Sequence, residues 1–342
     1  MWMLEQRADT SMEVKTKAFF HGMSFDLVKH QSVDSNQTSI IEFFLVGFQV
    51  SQALRISLFC LFVLIFCGTI CGNLLIITLV STSKNLHTPM YFFISQLSIS
   101  DISLATDIVP KMLHILLNNG ATIAFIDCIT QLYFFCALET CECLLLTVMS
   151  YDRYVAICKP LYYNSIMTDG YCVTLTIICW LFGFLFTLIS NISTAKLNFC
   201  DGNIIDHVYC DILPLLELAC SETFIVHLEI YMIGFAIVLI PTVIIVVSYT
   251  YIVLEVLRIP SSTGRHKAFS TCSSHLTVVS IFYWTMFSVY AVPAQRQTVT
   301  ISKILSLLYT VFTPLLNPLI YSLRNADIRK AAQETLHKLM TW

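Results

Sequence analysis

Charged side chains are scarce in this 342-residue chain: Asp, Glu, Lys and Arg make up 12% of it, about half the share usual in a soluble domain. With 56% hydrophobic residues and a mean hydropathy of +0.75, no soluble domain of this size could hide so much apolar surface. The net charge of -3 speaks against a nucleic-acid partner, which needs clustered Lys and Arg without balancing acids. Also missing are the His-Glu-x-x-His, Gly-x-Ser-x-Gly and phosphate-loop patterns of a membrane enzyme. No repeated half with paired Gly- or Pro-broken helices suggests a transporter. The residues before Asn36 lack the apolar run of a cleavable signal peptide, so the first helix is expected to act as signal anchor.

What is present is a set of seven Cys-, Phe- and Leu-rich stretches, near 54–80, 89–113, 125–157, 171–194, 224–257, 268–292 and 302–323. Each can cross a hydrocarbon core that needs about 20 apolar residues. The expected fold is an all-α membrane protein, a bundle of seven transmembrane helices. Residues 1–53 read as an extracellular tail, 54–323 as the bundle and 324–342 as a cytoplasmic tail. Within that tail, 325–338 reads as an amphipathic helix on the inner leaflet.

Lysine and arginine set the orientation. Lys84, Lys159, Arg258, Arg265, Lys267, Arg324, Arg329, Lys330 and Lys338 fall in loops or tail on the carboxyl-terminal side, which is therefore cytoplasmic. The loop carrying Asp201, Asp206, Asp211, Glu217 and Glu222 holds no Lys or Arg between those acids and reads as extracellular. The chain is thus expected in the plasma membrane as a multi-pass protein, amino terminus outside. Asn36-Gln37-Thr38 is a glycosylation acceptor on that outer side. Asn191-Ile192-Ser193 fits the same pattern at the end of the fourth stretch, where use and non-use are equally open.

Ten of the 14 cysteines lie in or beside apolar stretches, as small hydrophobes do. Cys128, Cys200, Cys210 and Cys220 instead face an oxidising compartment and suit disulfides, with three pairings open.

At the inner end of the third stretch runs Met149-Ser150-Tyr151-Asp152-Arg153-Tyr154-Val155-Ala156-Ile157-Cys158. An ion at mid-membrane costs about 2.5–3.5 kcal/mol on insertion scales, so Asp152 and Arg153 belong at the interface, paired. The same helix begins near Cys128, so one rod joins both membrane faces.

These motifs, in order, resemble the olfactory receptors, a branch of the rhodopsin-like G-protein-coupled receptors. The set comprises Gly72-Asn73, Leu86-His87-Thr88-Pro89-Met90-Tyr91-Phe92-Phe93, the Asp152-Arg153-Tyr154 run and Ser248-Tyr249. Lys267-Ala268-Phe269-Ser270-Thr271-Cys272-Ser273-Ser274-His275 and Pro314-Leu315-Leu316-Asn317-Pro318-Leu319-Ile320-Tyr321 complete it. The sixth-helix segment argues against a non-olfactory rhodopsin-like receptor, the nearest alternative.

The resemblance implies an odorant receptor, not an enzyme, that binds small apolar volatiles and activates a stimulatory olfactory G protein. It pairs Cys128 with Cys210 and Cys200 with Cys220. It assigns Asp152, Arg153, Tyr154, Tyr249, Asn317, Pro318 and Tyr321 to activation and coupling, with Pro318 kinking the seventh helix. It also makes Asp101 and Glu142 a sodium site, with interhelical hydrogen bonding as the alternative; no other cofactor is implied. Basic loops would meet the G protein or anionic lipid.

Cys136, Glu139, Thr140 and Cys143 share one face of the third helix by their spacing. The resemblance turns that face to the odorant, joined by Phe135, Tyr283, Met286, Phe287, Tyr290 and Thr310. Glu139 stands out, since a carboxyl there is paired, hydrated or protonated. Ser150 and Trp284 replace the Ala and Gly frequent in the family, and Trp284 is expected to reshape the ligand floor. The amino-terminal tail is longer than usual, with Met12 and Met23 as alternative starts to Met1.

Overall fold

The computed structural model describes residues 41–200, 202–291 and 299–340; Asn36 lies outside them. Seven long helices form the bundle: α1 Gln52–Thr82, α2 Pro89–Asn118, α3 Phe125–Cys158, α4 Asp169–Ala195, α5 Phe224–Arg258, α6 Ser262–Ala291 and α7. The last is Val299–Leu307, a π-helical turn Leu308–Phe312, and Thr313–Arg324. All but α6 are long and apolar enough to cross a membrane by composition as well as length. Ser274, His275, Thr277, Ser280, Tyr283, Trp284 and Thr285 make α6 less apolar along its length, and it starts at Ser262 rather than 268 because its polar first turns stay helical before the apolar run.

Local chemistry sets several ends. The Ser51 hydroxyl accepts from the Leu54 amide and that of Thr168 from the Tyr171 amide, capping α1 and α4. Pro89 opens α2, where its missing N–H is not needed. Asn119 and Gly120 close α2 at φ 55° and 114°, and both amides return to the Ile115 carbonyl.

The helix α3 is the bundle's centre, buried along most of its length, whereas few residues of α5 are buried. Much of the remaining α5 surface is exposed and apolar, as on lipid-facing helices. Two apolar cores lie along the bundle. One, near the disulfides, includes Phe43, Leu104, Ile108, Met112, Leu132 and Tyr209. The other, near Arg153, includes Leu79, Leu97, Met149, Ile252, Phe282 and Tyr321.

Residues read as free tail are partly folded. β1 (Glu42–Leu45) pairs antiparallel with β2 (Ala121–Ala124) and parallel with β3 (Ile204–Ile205), in the order β2-β1-β3. Phe43 and Leu45, alternate residues of β1, point inward and are fully buried. Lys303 of α7 ties this cap down, donating to the Gly47 carbonyl at 2.8 Å and pairing with Asp206 at 2.5 Å. At the other end α8 (Ala326–Met340) leaves the bundle, its Ile328 and Ala331 buried. The Tyr91 hydroxyl meets Asn325 and Asp327 at this junction.

Candidate functional site

A cavity of about 150 Å³ opens between α3, α4, α5, α6 and α7. From α3 come Leu132, Phe135, Cys136, Glu139 and Thr140, a stripe at i, i+3, i+4 spacing. From α4 come Thr187, Ser190, Asn191 and Thr194, and α5 supplies an apolar wall centred on Ile233, Gly234 and Ile237. Met286 and Tyr309 close it from α6 and α7. The Tyr309 hydroxyl shares a 3.1 Å hydrogen bond with that of Tyr209 in the disulfide-bearing loop. The ring of Phe135 packs against both tyrosines, with centroids at 5.3 and 6.0 Å. The loop is held over the bundle by Cys128–Cys210, with Cα atoms 5.5 Å apart, and closed on itself by Cys200–Cys220. The Gln131 side chain reinforces the first tie by accepting from the Cys210 amide at 3.0 Å.

Glu139 is the acid in this lining. It is 8% exposed, and neither carboxylate oxygen has a hydrogen-bond partner among the described residues. Toward the Arg153 end lies a second polar cluster. The Asn317 amide donates to both oxygens of Asp101, at 3.0 and 3.2 Å, while Oε1 of the buried Glu142 is unpartnered.

At the Arg153 end, Arg153 donates to Asp152 through Nε at 2.9 Å and Nη2 at 2.5 Å. Asp152 also accepts from the Tyr163 hydroxyl at 2.8 Å. Burial and the charge of Asp152 push the Tyr163 phenol, in the loop after α3, well above the tyrosine range. Tyr163 therefore stays a donor and holds Asp152 toward Arg153. The Tyr249 hydroxyl meets His275 Nδ1 at 2.6 Å, and the buried Tyr321 hydroxyl has no partner among the described residues.

Residues 59–338 match the family described as Olfactory receptor. The chain belongs to the olfactory receptor family. It is 42% identical to Olfactory receptor 1468 of Rattus norvegicus over 89% of this chain and 97% of that one. Olfactory receptor 11L1 of Homo sapiens is 43% identical over 89% and 94%. The crystal structure of squid rhodopsin superposes with a TM-score of 0.67 at 20% identity, covering 86% of this chain and 88% of that one. That likeness gives the seven-helix fold of G-protein-coupled receptors. The olfactory receptor is accordingly not an enzyme, and the transporter alternative falls with it.

Of the ten residues expected around the odorant, the cavity brings together Phe135, Cys136, Glu139, Thr140 and Met286. Cys143 is displaced by a backbone demand. Pro241 in α5 lacks an N–H and leaves the Ile237 carbonyl without its helical donor. The Cys143 thiol donates to it at 3.1 Å and meets the Tyr283 hydroxyl at 3.0 Å, so neither side chain lines the cavity. Thr310 is fully buried, its hydroxyl donating back to the Ser306 carbonyl, and Tyr309 lines the cavity instead. Phe287 and Trp284, three residues apart on α6, share an outward stripe and are 69% and 73% exposed. The expectation that Trp284 shapes the ligand floor is thereby corrected. Tyr290 has its side chain outside the described residues.

The structure bears on Asn191, whose use the sequence leaves open. Its amide donates to the Ile129 carbonyl at 3.1 Å between α3 and α4, and it lines the cavity. A side chain so placed is not offered to a glycosylating enzyme. The polar α4 face of Thr187, Ser190, Asn191 and Thr194 escaped sequence reading, although its i, i+3, i+4, i+7 spacing was there to find.

Proposed function

We infer that this odorant receptor holds its ligand in the cavity between α3 and α7 and passes binding on to a stimulatory heterotrimeric G protein at the Arg153 end. The observation carrying this reading is a mostly apolar cavity with a buried, unpartnered acid at the bundle's central helix, the usual make-up of a small-molecule site. Lys84, Lys159, Arg258, Arg265, Arg324, Arg329 and Lys330 gather toward the opposite end. That distribution supports a cytoplasmic carboxyl terminus, an extracellular amino terminus, and contact of α8 with anionic lipid.

Ligand shifts the receptor's equilibrium only through unequal affinity for its resting and open arrangements. Glu139 and Arg153 lie on the same helix, so a movement of α3 changes both the cavity wall and the Asp152–Arg153 pair. In the resting arrangement Asp152 and Tyr163 hold Arg153, and Tyr249 is held by His275. Opening frees Arg153 to regroup with Tyr249 and Tyr321 beside the G protein, while Tyr154 packs outward on Tyr151 and Tyr251. Asp101 and Glu142 would hold a sodium ion in the resting arrangement. The unpartnered Glu142 oxygen and the Asp101 carboxylate supply hard oxygen donors of the kind such an ion takes.

The test is an odorant panel applied to cells expressing the full chain, with cyclic AMP as readout. A saturable rise with at least one small volatile is expected. No rise with any compound, from receptor shown on the surface, would contradict the reading.

A further inference from the structure

We propose that the cavity is built for a small protonated amine, with Glu139 as the counter-charge. The proposal rests on the reading of this cavity as the ligand site and adds the chemical class. Its ground is the direction of the hydrogen bonds along the wall. The hydroxyl of Thr140 donates to the Cys136 carbonyl at 2.8 Å and that of Thr187 to the Gly183 carbonyl at 2.7 Å. Ser190 donates to Thr187 O at 3.1 Å and Thr194 to Ser190 O at 2.7 Å. Each hydroxyl has one proton and spends it on its own helix, so what it shows a ligand is oxygen lone pairs.

The Asn191 amide likewise commits an N–H to α3. The tyrosine at the wall, Tyr309, is engaged with Tyr209. Among the described residues the lining contains no Lys, Arg or His. The cavity therefore offers mostly acceptors and, apart from the weak Cys136 thiol, few donors.

A ligand carbonyl brings only acceptors. It would need Glu139 neutral and would leave the second carboxylate oxygen unpaired. An ammonium brings three donors and a charge. It can satisfy both Glu139 oxygens together with a neighbouring hydroxyl oxygen, through charge-assisted hydrogen bonds that are the stronger kind in a desolvated site. Size narrows the class further: a cavity of about 150 Å³ admits a molecule close to benzene in bulk. The apolar α5 wall suits one ring or a short branched chain on the nitrogen.

The experiment compares cyclohexylamine, cyclohexanol and cyclohexanone, which share one ring, on cells expressing the full chain with cyclic AMP as readout. The amine should act at a concentration about ten- to a hundredfold lower than the other two. Glu139→Gln, matched for surface labelling, should lose that advantage, and Glu139→Asp should keep the amine first in rank. Should Glu139→Gln fail to reach the surface, the rank order of the parent and of Glu139→Asp decides. A parent that prefers the ketone or alcohol, shows no preference, or ignores all three while answering other volatiles overturns the amine assignment and leaves the cavity reading standing. Silence toward every volatile tested removes both.

Discussion

The side-chain amide of Asn73 donates at 3.0 Å to the carbonyl of Pro314, the carbonyl that Pro318 deprives of its own helical donor. Gly72 makes the approach of α1 to α7 feasible, since a Cβ there would lie 3.2 Å from Pro318 Cβ and Cγ. Replacing Asn73 with Leu should destabilise the receptor by about 1–3 kcal/mol, the usual penalty for an orphaned buried polar group. Adding Pro318→Ala restores an N–H to α7 and should recover part of that loss. Thermal denaturation of the single and double variants in detergent measures it; strictly additive effects would show that the two residues do not share this carbonyl.

Loss of the α3 tie should be severe. Cys128→Ser or Cys210→Ser removes a bridge closing a long loop, worth about 2–5 kcal/mol in natural proteins. It also releases the loop whose Ile212 lines the cavity and whose Tyr209 bonds to Tyr309. Surface labelling should fall sharply for both, while Cys136→Ser, which breaks no bridge, should reach the surface nearly as well as the parent. Normal display and response in the first two would refute the role given to this bridge.

Arg153→Ala should separate recognition from signalling. Arg153 is turn after turn away from Glu139 along α3, at about 1.5 Å per residue, and it touches no cavity residue in the hydrogen bonds it makes. Ligand-dependent thermal stabilisation should persist while cyclic AMP output disappears. Equal loss of both would point to misfolding rather than to coupling.

Burial holds His207, in the loop between α4 and α5, below the ordinary histidine range, against the opposing charge of Asp211. The ring stays neutral, Nδ1–H donating to the Tyr209 carbonyl at 3.1 Å and Nε2 without a partner among the described residues. Since the folded value lies below the unfolded one, its contribution is complete above about pH 6.5 and declines as pH falls, when only the unfolded chain gains the proton. Denaturation midpoints between about pH 7.5 and 5.5 should therefore drop more for the parent than for His207→Asn. Parallel slopes would rule His207 out as the source.

Much of this was legible in the residues. Hydropathy located the helices, because a span must carry an apolar run, and α6 was misjudged only where polar turns continue the helix at Ser262. The β1-β2-β3 cap was not legible: strands as short as Ile204–Ile205 leave no pattern, and their pairing joins distant segments. On α3 the helical period found Cys136, Glu139 and Thr140, yet extended one turn too far to Cys143. What claims that thiol is a proline on another helix, information no local period carries. Asn191 was masked by its own motif, since a glycosylation triplet reads the same whether its side chain faces outward or into a cavity.

The most direct test of ligand binding between α3 and α7 is to fill the cavity. Gly234 lines it, and a Cβ at Gly234 would have no atom within 4 Å, so a larger side chain enters open space without collision. Concentration–response curves for an active odorant should be measured for the parent and for Gly234→Phe at equal surface labelling. If the odorant binds there, Gly234→Phe keeps its basal cyclic AMP level and loses the odorant response by at least about tenfold in potency. An unchanged curve would place the ligand elsewhere and contradict the assignment of this cavity.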